Sequence, residues 1–214
     1  MLQTTNKDII AREGFPFIAL GFGLVLVGWL IHPILFVLFL ALTLFVVSFF
    51  RNPKRACPEE HGILVVPADG KVLSIDTVQE DRFLKDRVKR VCIFMSPANV
   101  HVNRAPVSGL VEKVSYNKGK FFPAYAQKAS LDNEQNAVVV RNEGGERILF
   151  IQIAGWLARR IVCYAKEGDV LKGGAIYGLI RFGSRMDVYF PMHYEVKVSI
   201  GQNVKAGETV LASK

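Results

Sequence analysis

The chain has 214 residues, with 27 Lys or Arg against 19 Asp or Glu, which gives a formal net charge of +8. This balance favours an anionic partner, and without a zinc-finger spacing or an aromatic–basic RNA motif it indicates a membrane surface rather than a nucleic acid. Cys57, Cys92 and Cys163 show no paired spacing, so neither a disulfide framework nor a metal site is expected.

An uncharged, mostly apolar stretch fills residues 15–50. As one helix it would measure roughly 54 Å, against roughly 30 Å for the hydrocarbon core of a bilayer. Pro33 falls near its middle and disfavours helix at the preceding residue, His32. The sequence therefore predicts two short helices, at residues 15–31 and 34–50, that form either a re-entrant hairpin or two thin spans.

Basic residues flank this stretch on both sides: Lys7, Arg12, Arg51, Lys54 and Arg55. Under the positive-inside rule both ends then face the cytoplasm, which agrees with a hairpin. A cleaved signal peptide is disfavoured, because the apolar run is too long and no small-x-small site follows it. We expect residues 1–55 to form a helical hairpin in the cell membrane, and residues 56–214 a domain on its cytoplasmic face.

Beyond residue 58 the pattern changes to short apolar runs that are rich in β-branched residues and separated by Gly, Pro and Asn. Such runs are typical of β-strands. The predicted strands are residues 63–66, 91–94, 107–114, 137–140, 148–153, 161–164 and the strand-like 186–190. Residues 119–136 are polar and aromatic, and predict a loop with a short helix.

Two patterns recur within this domain. Residues 168–174 and 201–207 share Gly-x-x-apolar-Lys-x-Gly, and residues 67–72 and 106–111 share Pro-x-x-Gly-x-Val. Gly-rich turns between short strands recur in lipoyl- and biotinyl-type β-sandwiches, so we expect a mainly β domain of hammerhead hairpins rather than a βαβ fold. Ordinary turn chemistry is the alternative source of both patterns.

Gly183 and Ser184 follow a glycine-rich run and precede the strand-like residues 186–190. A serine hydroxyl in this context can attack the preceding carbonyl and convert the peptide bond into an ester. Elimination then breaks the ester, and hydrolysis of the dehydroalanine leaves a pyruvoyl group, whose carbonyl can form a Schiff base and accept electrons. The alternatives are a plain turn serine and a Ser-His-Asp hydrolase, although the surroundings lack Gly-x-Ser-x-Gly.

Four further blocks accompany this segment, in a fixed order: PADG at 67–70, SPANVH at 96–101, AYAQKA at 124–129 with NEQN at 133–136, and QIAG at 152–155 with ARRI at 158–161. With these blocks, most of residues 51–214 resembles the phosphatidylserine decarboxylase proenzymes in their short form. The resemblance implies a pyruvoyl-dependent carboxy-lyase that converts phosphatidylserine to phosphatidylethanolamine without a metal or diffusible cofactor. Chains 1–183 and 184–214 are expected to stay associated after the cut, as strands of the same sandwich, and a homodimer stays open.

The resemblance places catalytic roles on Gly183 and Ser184 at the cut, on Asp69 as the carboxylate that orients a base, and on His101 in proton handling. Many family members carry a second histidine three residues after the first. Here that position is Arg104, whose guanidinium cannot serve as a base. The residue that activates Ser184 therefore stays open.

Candidate substrate-binding residues follow from the same resemblance. Arg104 and Arg181 are candidates for binding an oxyanion or the lipid phosphate. Asn133 and Glu134 are candidates for shaping the pocket. For each of these four residues, a solvated or purely structural position is the alternative.

A function of another class also explains the repeats and the apolar segment. It is a non-catalytic, membrane-anchored, lipoyl-like β-sandwich that binds or carries a partner. Lys172 and Lys205 follow turn glycines, as a carrier lysine would, but neither lies in a recognised carrier motif. The two hypotheses differ in chain integrity, because a carrier stays whole and a pyruvoyl enzyme is cut.

Overall fold

The computed structural model describes residues 4–58, 60–119, 133–155, 160–181 and 184–214. The chain separates into two compact units, Met1–Lys54 and Arg55–Lys214. Most of the loop and short helix predicted at 119–136 lies outside the described residues, as do Phe182 and Gly183.

The first unit is a pair of helices. A 3₁₀ turn, Arg12–Gly14, leads into α1 (Phe15–Ile31), and α2 (Pro33–Phe49) follows after the single residue His32. His32 has an extended backbone (φ −162°), and its Nδ1 accepts a hydrogen bond from the Ile34 amide at 3.2 Å. The proline thus separates two helices, and the predicted helical pair is confirmed.

Small residues let α1 and α2 fold closely against each other. A Cβ atom added to Gly28 would lie 2.9 Å from the backbone of Leu35, and one added to Gly21 would lie 2.7 Å from Thr43 Oγ1. By length and composition, Arg12–Ile31 can cross a membrane, with 20 residues and a mean hydropathy of 2.1, and Pro33–Phe49 is a shorter apolar helix.

The second unit is built of short strands. In the described residues they are β1 (Ile63–Val65), β2 (Gly70–Glu80), β3 (Asp86–Met95), β4 (Val102–Arg104), β5 (Gly109–Asn117), β6 (Gln135–Arg141), β7 (Arg147–Ala154), β8 (Ile161–Cys163), β9 (Val170–Leu171), β10 (Ile176–Ile180), β11 (Ser184–Pro191), β12 (Glu195–Val196), β13 (Asn203–Val204) and β14 (Val210–Ser213). The mainly β prediction is therefore confirmed.

The strands form three antiparallel sheets. The large sheet has the order β13-β2-β3-β11-β7-β6-β5-β9, and the two small sheets have the orders β1-β14-β12 and β4-β10-β8. The main hydrophobic core covers one face of the large sheet, with buried residues such as Ile93, Phe150 and Phe190. A smaller cluster around Leu149 and Tyr189 lies on the opposite face, so β11 near the centre is buried on both sides.

The unit consists of two topologically equivalent halves. The outer half (β1–β3 and β11–β14) contributes the orders β1-β14-β12 and β13-β2-β3-β11, and the inner half (β4–β10) contributes β4-β10-β8 and β9-β5-β6-β7. The inner half lies in sequence between β3 and β11. The equivalence extends to register, since Gly70 pairs with Val204 as Gly109 pairs with Leu171.

This duplication accounts for the recurring sequence patterns. A bulge follows Val72 in β2, and another follows Val111 in β5. The two Gly-x-x-apolar-Lys-x-Gly segments each carry positive φ at both terminal glycines: Gly168 (90°), Gly174 (74°), Gly201 (85°) and Gly207 (72°). A left-handed turn of this kind favours glycine, so the patterns are turn chemistry that occurs at equivalent places in two copies.

Candidate functional site

Ser184 is the first residue of β11, at the centre of the large sheet. It pairs with Met95 on β3 and with Ala154 on β7. The side chain is completely buried, and its Oγ lies 3.2 Å from Met95 Sδ. A thioether is a weak acceptor, so the hydroxyl proton of Ser184 is held only weakly.

His101 precedes β4 and is also buried, with 1% of its surface exposed. Its carbonyl accepts a hydrogen bond from Ile180 at the end of β10, shortly before Ser184 in the chain. Its Nδ1 lies 2.9 Å from the Asn99 carbonyl oxygen. Because a carbonyl only accepts, Nδ1 carries a proton, and Nε2 is the ring nitrogen left for exchanging one.

Asp69 is oriented by partners that the sequence did not suggest. Its Oδ2 lies 2.7 Å from Arg55 Nη2, and its Oδ1 accepts a hydrogen bond from the Ala206 amide at 2.8 Å. Arg55 also reaches Glu208 at 3.2 Å. Both Asp69 oxygens are therefore engaged with Arg55 and the turn at 205–208, and among the described residues no hydrogen bond joins Asp69 to Ser184.

Arg104 lies beside this ion-pair group. Its Nη1 donates to the Gly174 carbonyl at 2.9 Å, and only 4% of the residue is exposed. Burial lowers the pKa of the Arg104 guanidinium, and the nearby Arg55 lowers it further, while Asp69 opposes both. Arg104 is thus a buried cation that secures the turn before β10.

Asn133 and Glu134 hold the strand next to Ser184. Asn133 Nδ2 donates to the Ala154 carbonyl at 2.7 Å, and the Ala154 amide donates to the Glu134 carbonyl at 2.9 Å. Ala154 is the direct cross-strand partner of Ser184. Arg181 binds Arg160 through the backbone, with its amide 3.1 Å from the Arg160 carbonyl oxygen.

Three buried amide side chains, which the sequence did not bring together, lie next to Ser184. Asn136 Nδ2 donates to Gln152 Oε1 at 3.2 Å, and Gln152 Nε2 donates to Asn103 Oδ1 at 2.9 Å. Asn103 Nδ2 then lies 3.7 Å from Met95 Sδ, the same sulfur that Ser184 contacts. A possible sequence signal was the presence of polar residues within otherwise apolar strands.

On the opposite face of β11, Arg185 and Asp187 form a buried ion pair. Arg185 Nε lies 2.5 Å from Asp187 Oδ1, and Nη2 lies 2.9 Å from Oδ2 and 2.8 Å from Cys92 Sγ. Burial disfavours the charged guanidinium, but the Asp187 carboxylate more than compensates and raises the pKa of Arg185. Burial, together with the Asp187 charge, raises the pKa of the Cys92 thiol to about 12.

These surroundings fit a small carbonyl group made from Ser184 itself. The site of Ser184 is fully buried between two strands, so a group formed there would be shielded from water. Among the described residues, Asn103 reaches the sulfur atom that Ser184 contacts, and the backbone of the buried His101 binds Ile180, shortly before Ser184 in the chain. The residues present thus suit chemistry at a chain-derived carbonyl.

Comparison with known proteins identifies the class. The family model for phosphatidylserine decarboxylase matches residues 42–212. The chain is 50% identical to the phosphatidylserine decarboxylase proenzyme of Citrifermentans bemidjiense over 96% of this chain and 97% of the relative. The proenzymes of Syntrophotalea carbinolica (48% identical, 98% of each chain) and Ralstonia pickettii (45%, 99% of each) match equally completely.

The chain is therefore a decarboxylase made as a proenzyme. More particularly, it belongs to the phosphatidylserine decarboxylase family. This membership confirms the resemblance found in the sequence, and it implies a pyruvoyl cofactor. It also favours an enzyme over the non-catalytic carrier.

Proposed function

We propose that this chain cuts itself between Gly183 and Ser184 and uses the resulting pyruvoyl group to convert phosphatidylserine to phosphatidylethanolamine. Family membership supports the reaction. The observation that supports this particular bond is the burial of Ser184 at the first position of a central strand, with its hydroxyl against a weak acceptor.

In the first step Ser184 Oγ attacks the carbonyl carbon of residue 183, the amide bond between that carbon and the Ser184 nitrogen breaks, and the nitrogen takes the proton that Oγ gives up. Elimination across the Ser184 Cα–Cβ bond then releases residue 183 as a carboxylate, and water converts the dehydroalanine to pyruvoyl and ammonia. His101 is the proposed proton carrier, because its Nδ1 is committed to Asn99. Asp69 supports the site indirectly, through Arg55 and Ala206.

In the decarboxylation, the pyruvoyl carbonyl would supply an electrophile for the substrate amine and a sink for the electron pair left on the substrate carbon when carbon dioxide departs. His101 returns a proton to the substrate carbon. Asn133 and Glu134 keep Ala154 aligned with Ser184. Arg181 is the proposed ligand of the lipid phosphate, whereas the buried Arg104 acts through the turn at Gly174.

The cut chains 1–183 and 184–214 should remain together. The shorter chain contains β11, which is paired on both sides over most of its length. It also contains Glu208 and Ala206, which bind Arg55 and Asp69 of the longer chain. A strand this deeply embedded is held without a covalent link.

For the whole chain, we propose a membrane-associated hairpin at residues 1–55 and a catalytic domain at 56–214 on the cytoplasmic face. The basic flanks of the apolar helices support this orientation. The finer assignment to a lipoyl-like sandwich of hammerhead hairpins stays a prediction, supported by the two equivalent halves.

Intact-mass spectrometry of the purified protein tests the proposal. Wild type should give two chains, 1–183 and 184–214, with the smaller one lighter by one ammonia than a serine-terminated peptide. Ser184→Ala should stay whole, and Ser199→Ala, an exposed serine in the same segment, should be cut like wild type. A wild-type chain that stays whole would overturn the proposal.

A further inference from the structure

The three buried amides next to Ser184 form a chain with a direction. A primary amide accepts through its oxygen and donates through its nitrogen. Asn136 donates to Gln152, and Gln152 donates to Asn103 through the nitrogen that also faces the Val162 carbonyl at 3.3 Å. The Asn103 oxygen is therefore occupied, and its Nδ2 is the donor end of the chain.

Among the described residues, the acceptor that faces this donor end is a weak one. Asn103 is completely buried, and its Nδ2 is 3.7 Å from the thioether of Met95. A buried amide donor without a strong acceptor is unfavourable. Because Ser184 Oγ contacts the same sulfur atom, the donor and the serine hydroxyl share this neighbour.

The fold itself does not require a polar residue at this place. Asn103 lies six residues before Gly109, and Leu64 lies six residues before the equivalent Gly70. Leu64 is completely buried in the core of the outer half. An apolar side chain thus satisfies the same position in the other copy.

The next member of the chain gives the same result. The strand pairs align the two halves. In the inner half, Leu110 pairs with Arg141, and Arg141 pairs with Arg147. In the outer half, Lys71 pairs with Phe94, and Phe94 pairs with Arg185. Counting five residues along each strand, the pair Asn136–Gln152 corresponds to Lys89–Phe190, and Phe190 is buried in the core. Asn103 and Gln152 therefore stand where the other half has the core residues Leu64 and Phe190, whereas Asn136 stands where it has the half-buried Lys89.

Space for the Gln152 amide is provided by a glycine. A Cβ atom at Gly178 would lie 3.0 Å from Gln152 Nε2 and 2.2 Å from the Val162 carbonyl oxygen. The amide that sets the direction of the chain is thus held between β10 and β8, and it fixes the orientation of Asn103.

We propose that Asn103 is a catalytic residue of the self-cleavage, and that Gln152 and Asn136 are positioning residues that turn its donor toward Ser184. This inference rests on the proposed function. When Oγ bonds to the carbonyl carbon of residue 183, the π electrons move to the carbonyl oxygen, and Asn103 Nδ2 donates to that oxyanion. Collapse re-forms the carbonyl and breaks the C–N bond, so the step is an acyl transfer from nitrogen to oxygen.

The rate of chain cutting after a pulse of expression, followed by intact mass, tests this role. Asn103→Asp keeps the acceptor for Gln152 but removes the donor, and should slow cutting by about 10²-fold, the usual effect of losing one oxyanion donor. Hydroxylamine cleaves esters, so it restores cutting only when the ester has formed. It should not restore cutting in Asn103→Asp, because the defect lies in the formation of the ester. Rapid cutting of Asn103→Asp, or its rescue by hydroxylamine, would overturn the inference.

A second pair of variants tests the direction of the chain without changing Asn103. When its carboxyl is ionised, Asn136→Asp can only accept, so Gln152 must turn its nitrogen toward residue 136 and Asn103 must then present its oxygen to Ser184. Asn136→Leu removes the same hydrogen bond without forcing this reversal. Cutting should be at least about tenfold slower in Asn136→Asp than in Asn136→Leu, and equal rates would overturn the positioning role.

Melting temperatures of all variants, measured with Ser184→Ala to keep the chains whole, show which of them fold. If wild type itself is not cut, the proposed function fails. If wild type is cut and the Asn103 and Asn136 variants are cut at its rate, only the role of the amide chain is wrong.

Discussion

The buried pair of Arg185 and Asp187 offers a sharp test of what holds β11 in place. The side chains are 5% and 0% exposed, and two hydrogen bonds join them. Removing one member of such a pair leaves an uncompensated charge, which typically costs about 3–5 kcal/mol, whereas replacing both members by apolar residues is often neutral. Asp187→Leu should therefore be far more harmful than the double replacement Arg185→Met/Asp187→Leu.

The assay is thermal and urea unfolding in detergent, with Ser184→Ala in every chain so that a single polypeptide unfolds. For a domain of this size about 1 kcal/mol corresponds to roughly 2–4 °C, so Asp187→Leu should lower the melting temperature by about 10 °C or more. The double variant should recover most of this loss. A single variant within about 1 kcal/mol of its parent, or a double variant as unstable as the sum of both singles, would refute the reasoning.

Three further predictions follow from other contacts. Arg55→Met should weaken retention of chain 184–214 in mild urea, because Glu208 and Asp69 lose their shared partner. The exposed Lys54→Met is the control, and equal release of chain 184–214 from the two variants would contradict this. In urea titrations, Gly70→Ala and Gly109→Ala should each lower the free energy of unfolding by about 3 kcal/mol, because their Cβ atoms would lie 2.1 Å from carbonyl oxygens. Gly144→Ala should have a mild effect, because its Cβ atom would have only flexible side chains near it, at 3.3 Å or more. Burial disfavours ionised Glu146, but Asn142, Tyr194 and Lys214 hold its pKa at about 2, below its ordinary 4.5. The stabilising effect of ionised Glu146 should be full above about pH 4.5 and fade toward pH 2. The urea midpoint of Glu146→Gln should lack this dependence on acid pH.

The apolar parts of the fold could be predicted from the sequence. The long uncharged stretch and Pro33 predicted two helices, and continuous apolar runs predicted the buried strands β6 and β7. By contrast, β2 was missed because its apolar residues are interrupted by Lys71, Ser74 and Asp76 on a partly exposed face. The two-residue strands β9, β12 and β13 are too short for any periodicity.

The site could be predicted only in part. Motif positions indicated Ser184 and His101 as candidates, and both are buried, while their catalytic roles stay predictions. The partners of Asp69 could not be foreseen, because Arg55 and Ala206 are 14 and 137 residues away in sequence and meet it only after folding. The amide chain has the same origin, although a comparison of the two repeats would have shown Asn103 in place of Leu64.

The most direct test of the account is the intact mass of wild type beside Ser184→Ala. We expect wild type to give chains 1–183 and 184–214, the latter lacking one ammonia relative to a serine terminus, while Ser184→Ala stays whole. A wild-type chain that remains uncut yet decarboxylates phosphatidylserine, or a cut that leaves a free serine, would contradict the pyruvoyl mechanism.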